Sequence, residues 1–191
     1  MIRALIQKTR SYRRFYQDFV IELDTLRELV DLARLSASAA NMQPLKYILS
    51  CEIHKNGLIF PHLEWAGYLK DWSGPQEGER PSAYIIILAD TQISRSTGCD
   101  HGIAAQNILL GATEKGLGGC MIASIRRTKL REILNLPPHL EIILVLALGK
   151  PKETVEIETV GPDGNIKYWR DSEGKHHVPK RSLDDIIVGE M

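Results

Sequence analysis

Cys99 to Ser124 reads CDHGIAAQNILLGATEKGLGGCMIAS, and this stretch decides the fold. Its first two-thirds form a helix with apolar or small residues on almost every side: Ile103, Ala104, Ala105, Ile108, Leu109, Leu110 and Ala112, with Leu117 just beyond. A helix of that kind is buried all round. It ends at Gly116, passes through the pair Gly118-Gly119 and becomes the short apolar run Cys120-Met121-Ile122-Ala123. The rest of the chain is placed around this glycine hinge.

Two apolar runs, Ala83–Ala89 (AYIIILA) and Glu141–Leu148 (EIILVLAL), read as strands continuous enough to lie centrally in a sheet, and Lys46–Cys51 as a third. Asp24 is expected to cap a helix carrying Leu26, Leu29, Val30 and Ala33, and a shorter helix begins near Thr128. Ile2, Leu5 and Ile6 mark one face of an N-terminal helix. Towards the C-terminus, 154–160 and 165–169 flank Gly161-Pro162-Asp163-Gly164, a hairpin signal, and Asp171–Gly174 reads as a second turn. A last helical stretch starts at Ser182. One domain spanning 1–191 is expected, with a C-terminal hairpin extension from about 152.

The chain has 191 residues with 24 basic and 24 acidic side chains, so no overall field draws it to nucleic acid or anionic lipid. No segment approaches the roughly 18 apolar residues of a membrane span, and a cytoplasmic protein is expected. Cys51, Cys99 and Cys120 lack metal-ligand spacing and sit in apolar surroundings that suit buried, reduced thiols. His176 and His177 read as surface residues, since neighbours on a strand point to opposite faces and no ligand partners stand at metal spacing. Neither a phosphate-binding Gly-Lys-Ser/Thr loop nor a Gly-x-Gly-x-x-Gly turn is present.

Three further segments carry chemistry. Lys8–Phe15 holds four cations in seven residues, broken by two hydroxyls and a phenol: either a solvated face or an anion site. Ser36–Pro44 is built of small side chains and amides, so a flat ligand could approach its backbone. Phe60–Pro75 concentrates two of the three tryptophans beside a Pro/Gly-rich exit, which suits a flap over a planar substrate or aromatic anchors pinning a loop.

Taken in order, TRSYRRF, SASAANMQP, DHGIAAQNILLGATEKGLGGC and VPKRSLDDII resemble the four signature elements of the FMN-dependent nitroreductase family along nearly the whole chain. Thr9 stands where the family often has an arginine, and Ala37 where it usually has proline. The resemblance implies an α+β fold, a central mixed, mainly antiparallel sheet flanked by helices, in a homodimer built around the buried central helix with FMN at the subunit interface. It implies that Arg10, Ser11 and Arg13 hold the phosphate and the polar flavin edge, with Lys180 and Arg181 closing the phosphate pocket. Ala37, Ser38, Ala39, Asn41 and Gln43 would contact flavin and ribityl chain, and Met121, Ile122 or Ala123 would offer a backbone N–H near flavin N5. Tyr68 and Trp72 are candidate substrate-facing residues. The implied activity is NAD(P)H-driven ping-pong reduction of nitroaromatics, quinones or similar acceptors, with no catalytic side chain because the flavin carries the chemistry. Dehalogenation, flavin fragmentation and a non-catalytic flavin-binding or sensing role are the alternatives.

Overall fold

A computed structural model describes all residues, 1–191. The chain divides into two compact units: Met1–Trp65 with Gly74–Lys152, and Ala66–Ser73 with Glu153–Met191.

In the first unit the elements run α1 (Ile2–Lys8), β1 (Phe15–Tyr16), α2 (Leu23–Arg34), β2 (Leu45–Ser50), α3 (Ile53–Ile59), β3 (Ala83–Asp90), α4 (Asp100–Glu114), β4 (Gly118–Ile122), α5 (Arg127–Ile133) and β5 (Leu140–Pro151). The ladders are antiparallel: β2 pairs with β3, β3 with β5, and the far edge of β5 takes β4 along Val145–Gly149 and β1 at Lys150–Pro151. A single parallel bridge joins Ser11 to Gly119. β3 has a neighbour on both edges and is buried from Ala83 to Ala89, which is why its apolar run is unbroken.

Ile85 and Ile87 face one side of the sheet, where Leu26, Leu29 and Ala33 of α2 and Ala104, Ala105, Ile108, Leu109 and Ala112 of α4 close the core. α4 is not buried all round in the single chain: of the residues expected inside, Ile103 is 39% exposed and Leu110 half-buried, and the polar Gln106 is exposed on the same stripe. α1 likewise buries none of its residues. Two local expectations are corrected. The cap of α2 is Glu22, and Asp24 lies within the first turn, paired with Arg27 at 3.2 Å, because the helix starts two residues earlier than the apolar spacing suggests. Cys99 is exposed, lying outside the apolar face of the helix that it precedes; Cys120 alone is buried.

The second unit holds β6 (Val155–Thr159), β7 (Trp169–Arg170), β8 (His176–Lys180) and α6 (Leu183–Ile186). The turn at Gly161–Gly164 forms, but its flanks do not pair with each other: β6 runs parallel to β8, and β7 antiparallel to β8 across the Asp171–Gly174 turn. Ser182 caps α6 in a reciprocal box with Asp185. Tyr68 lies 4.9 Å from Tyr168 and the Arg170 guanidinium 4.8 Å over Trp72, so Ala66–Ser73 packs within this unit. Trp65 belongs to the first unit as a buried anchor, 5.9 Å from Phe60.

Both histidines are buried, contrary to the surface reading. His176 packs on Tyr168, and His177, 8% exposed, stacks 4.1 Å from Trp169 with Nδ1 against Glu158 and Nε2 3.1 Å from Asp171. Their partners lie on other strands and turns, so no local spacing announces them. The hydrogen bond to Asp171, supported by Glu158, holds the His177 pKa above its usual 6.5, while the same bond holds Asp171 below 3.8. The imidazolium therefore contributes stability fully below pH 6.5, lost as pH rises through its raised folded value; Asp171 contributes above 3.8, lost as pH falls through its lowered one. A carbon-detected imidazole titration should put the His177 midpoint above 6.5, and thermal stability should decline from about pH 6.5 up to that midpoint in the wild type and level off above it, with a shallower dependence in His177→Gln. A midpoint at or below 6.5 would contradict this assignment.

Candidate functional site

The Gly118-Gly119 pair brings the basic N-terminal segment against the start of β4. Tyr12 N–H donates to Gly119 O at 3.0 Å, and a Cβ on Gly118 would lie 2.5 Å from the Tyr12 ring. One residue before the Ser11 bridge, Arg10 donates from Nη2 to Ile6 O at 2.7 Å, while its buried Nε–H has no partner. Arg13 donates to Ser11 O at 3.2 Å. Arg14 is engaged elsewhere: it grips Glu79 through two bonds of 2.6 and 2.7 Å, with Lys152 at 3.2 Å from the same carboxylate. The Arg14 hydrogen bond leads in holding the buried Glu79 carboxyl below its ordinary range. Thr9 bonds Leu5 O and Thr113 Oγ1 and so ties α1 to α4.

The loop between α2 and β2 is shaped by the first residue of α4. Asp100, 5% exposed, accepts from Ser38 Oγ at 2.6 Å and from Ala39 N–H at 3.0 Å; Ser38 Oγ in turn accepts from Gln43 N–H at 2.9 Å. Asn107 Nδ2 reaches Ser36 Oγ at 2.7 Å. Between these ties Ala40, Asn41 and Gln43 take positive φ of 49°, 55° and 51°. Left-handed backbone at a residue with a Cβ costs about 1–3 kcal/mol where surrounding structure imposes it, and the carboxylate at Asp100 is what imposes it. A cavity of about 230 Å³ opens beside this loop, lined by Ala37, Ser38, Gln43, Tyr47, Asp100 and Ala104. Burial, with the Asp100 charge second, pushes the Tyr47 phenol up to about 12, so it stays a neutral donor at any physiological pH.

Past Gly119 the sequence alternates as a strand should. Cys120 and Ile122 are buried, Met121 and Ala123 exposed, and the edge of β4 away from β5 takes no strand partner between the Ser11 bridge and the Leu63–Ile125 bridge. The structure thus joins Arg10, Ser11 and Arg13 to the glycine hinge, and Ser38 and Ala39 to Asp100. Lys180 and Arg181 lie exposed at and beyond the end of β8, in the second unit with Tyr68 and Trp72. Asp100, Tyr47 and Glu79 act through partners far away in the chain, which no local pattern announces. A carboxylate opening an otherwise apolar helix was the available sign for Asp100.

The sequence pattern that defines the Nitroreductase family matches residues 6–64 and 71–150. An NADPH-flavin oxidoreductase of Vibrio harveyi is 34% identical over 103 residues, 52% of this chain and 40% of that protein. An FMN reductase (NADPH) of Bacillus subtilis is 32% identical over 101 residues, 52% of this chain and 39% of its own length. Among solved structures, a nitroreductase family protein from Clostridium novyi NT superposes with a TM-score of 0.66 at 26% identity, covering 80% of this chain and 86% of that one. The matched residues include the arginine segment, the Ser38 loop, α4 and the glycine hinge. On that match, made across the fold that positions them, the chain belongs to the nitroreductase family.

Proposed function

We propose that this protein is an FMN-dependent oxidoreductase that takes reducing equivalents from NADH or NADPH and delivers them to a nitroaromatic, quinone or similar electron-poor acceptor. FMN, when bound, supplies the hydride chemistry, and the chain supplies binding, orientation and shielding. The observation that carries the reading is the Arg10 Nε–H: a buried donor with no protein partner, one residue before the Ser11–Gly119 bridge, where the glycine lets backbone approach closely. A phosphate satisfies that donor through a charge-assisted bond, with Ser11 and Arg13 beside it. Lys180 and Arg181 are proposed as further phosphate ligands on the family resemblance alone.

Ala37, Ser38, Ala39, Asn41 and Gln43 are proposed to meet the flavin and ribityl chain, their loop held in shape by Asp100. The unpaired edge of β4 supports Met121, Ile122 and Ala123 as the source of the backbone N–H near N5. Tyr68 and Trp72 are proposed to face the acceptor. The homodimer is part of the same reading: Ile103, Leu110 and the outer face of α1 are apolar surface that a second copy would cover. No helix is long and apolar enough to cross a membrane, which is compatible with the proposed cytoplasmic location.

Stripping the protein and titrating FMN back, followed by flavin fluorescence quenching, tests the site. Arg10→Ala should weaken FMN binding roughly tenfold or more, the value of one lost charge-assisted bond, and light scattering on the same samples should give twice the 21.5 kDa chain mass. Unchanged affinity would remove Arg10 from the phosphate site, and a 21.5 kDa species saturated with FMN would remove the dimer.

A further inference from the structure

Strand alternation places Tyr84 on the face of the sheet opposite Ile85, Ile87, α2 and α4. A second cavity, of about 300 Å³, opens there among Phe19, Val20, Ile53, Phe60, Arg80 and Tyr84. None of its lining residues belongs to the proposed flavin site.

Arg80 is held in place from both sides. Its own N–H and that of Gly78 donate to Gln17 Oε1 at 3.1 and 2.8 Å, and the neighbouring Glu79 is clamped by Arg14 and Lys152. The guanidinium itself lies over the Phe60 ring, 4.5 Å from its centre, and its Nε–H is buried with no hydrogen-bond partner. A cation fixed in this way beside a cavity is an uncompensated donor. Tyr84, 1% exposed, lines the same cavity, and burial pushes its phenol pKa up, so it stays a neutral donor. Phe19, Val20 and Ile53 add exposed apolar surface at the opening, more than a solvated wall calls for.

We propose that this cavity binds a small organic monocarboxylate, its carboxylate on Arg80 and the Tyr84 hydroxyl and its apolar body against Phe19, Val20, Ile53 and Phe60. A planar guanidinium fork matches a carboxylate. One cation, with exposed Asp18 and Glu77 also lining the cavity, disfavours a dianion such as phosphate. The volume, at the small end of ligand sites, limits the body to about the size of one ring.

Benzoate is the probe, titrated calorimetrically into the protein as purified, with benzyl alcohol and inorganic phosphate as controls. Half-buried Cys51 also lines the cavity, so its alkylation, followed by peptide mass spectrometry, reports occupancy there and nowhere else. Benzoate should bind saturably and slow Cys51 alkylation, and benzyl alcohol and phosphate should bind at least about tenfold more weakly. Arg80→Met should weaken benzoate roughly tenfold or more, and Tyr84→Phe, which keeps the packing, about threefold. The inference is overturned if benzoate leaves Cys51 alkylation unchanged or if phosphate or benzyl alcohol binds as tightly. It is also overturned if the folded variants bind benzoate like the wild type. Should Arg80→Met not fold, Tyr84→Phe and the two controls decide.

Discussion

Gly119→Ala should destabilise the protein by about 3 kcal/mol, the upper end of the cost of overpacking, and lower its melting temperature by about 6–12 °C. The added Cβ would sit 2.7 Å from Ala147 O, Leu109 Cδ2 and Leu148 Cδ2 together. The leucine tips can rotate, but the carbonyl belongs to the central ladder, where Gly119 faces Leu148 and Cys120 faces Ala147. Relief therefore requires β4 to move off β5, carrying with it the Tyr12–Gly119 bond that positions the arginine segment. Gly118→Ala is the comparison: its Cβ meets the Tyr12 ring and Pro151 side chain, at 2.5 and 2.7 Å, which are side-chain atoms. Calorimetric melting should rank Gly119→Ala well below Gly118→Ala; equal stability of Gly119→Ala and wild type would show that β4 is not fixed as described.

Asp100→Ala should cost about 3 kcal/mol, since a buried carboxylate accepting charge-assisted bonds is removed and two donors lose their acceptor. The Ser38 hydroxyl and Ala39 N–H are those donors. With the staple gone, the positive-φ residues Ala40, Asn41 and Gln43 have less to hold them in strained backbone. Limited proteolysis should then cut between Ala37 and Gln43, and FMN retention should fall along with stability. Asp100→Asn keeps one acceptor oxygen and should fall between the two. A variant at Asp100→Ala with wild-type melting and an uncut loop would mean that the loop shapes itself.

Much of the first unit was legible because burial writes itself into composition. AYIIILA has no polar break since both edges of β3 are paired, and the helix of α4 declares itself by its alanines and leucines. What escaped has non-local causes. α3 reads as a polar stretch because its inward residue includes Asn56, which is satisfied by Ser50 at 2.7 Å and Ser82 O at 2.7 Å. The Gly-Pro-Asp-Gly turn signals a hairpin that β8 pre-empts by pairing in parallel with β6. His177 is buried because Glu158 and Asp171 satisfy it from another strand and a turn. For the candidate site, the arginine segment and the small-residue loop stood out by residue type. The strain in that loop and the carboxylate imposing it became visible only once α4 was seen to present Asp100 to Ser38.

Mixing the FMN-loaded protein with NADH or NADPH without oxygen, and following the visible flavin band, tests the central claim most directly. At least one nucleotide should bleach the band stoichiometrically, and a quinone or nitroaromatic added afterwards should restore it. A yellow protein whose band persists with both nucleotides would contradict a nicotinamide-driven reductase, and a protein that takes up no FMN would contradict the site itself.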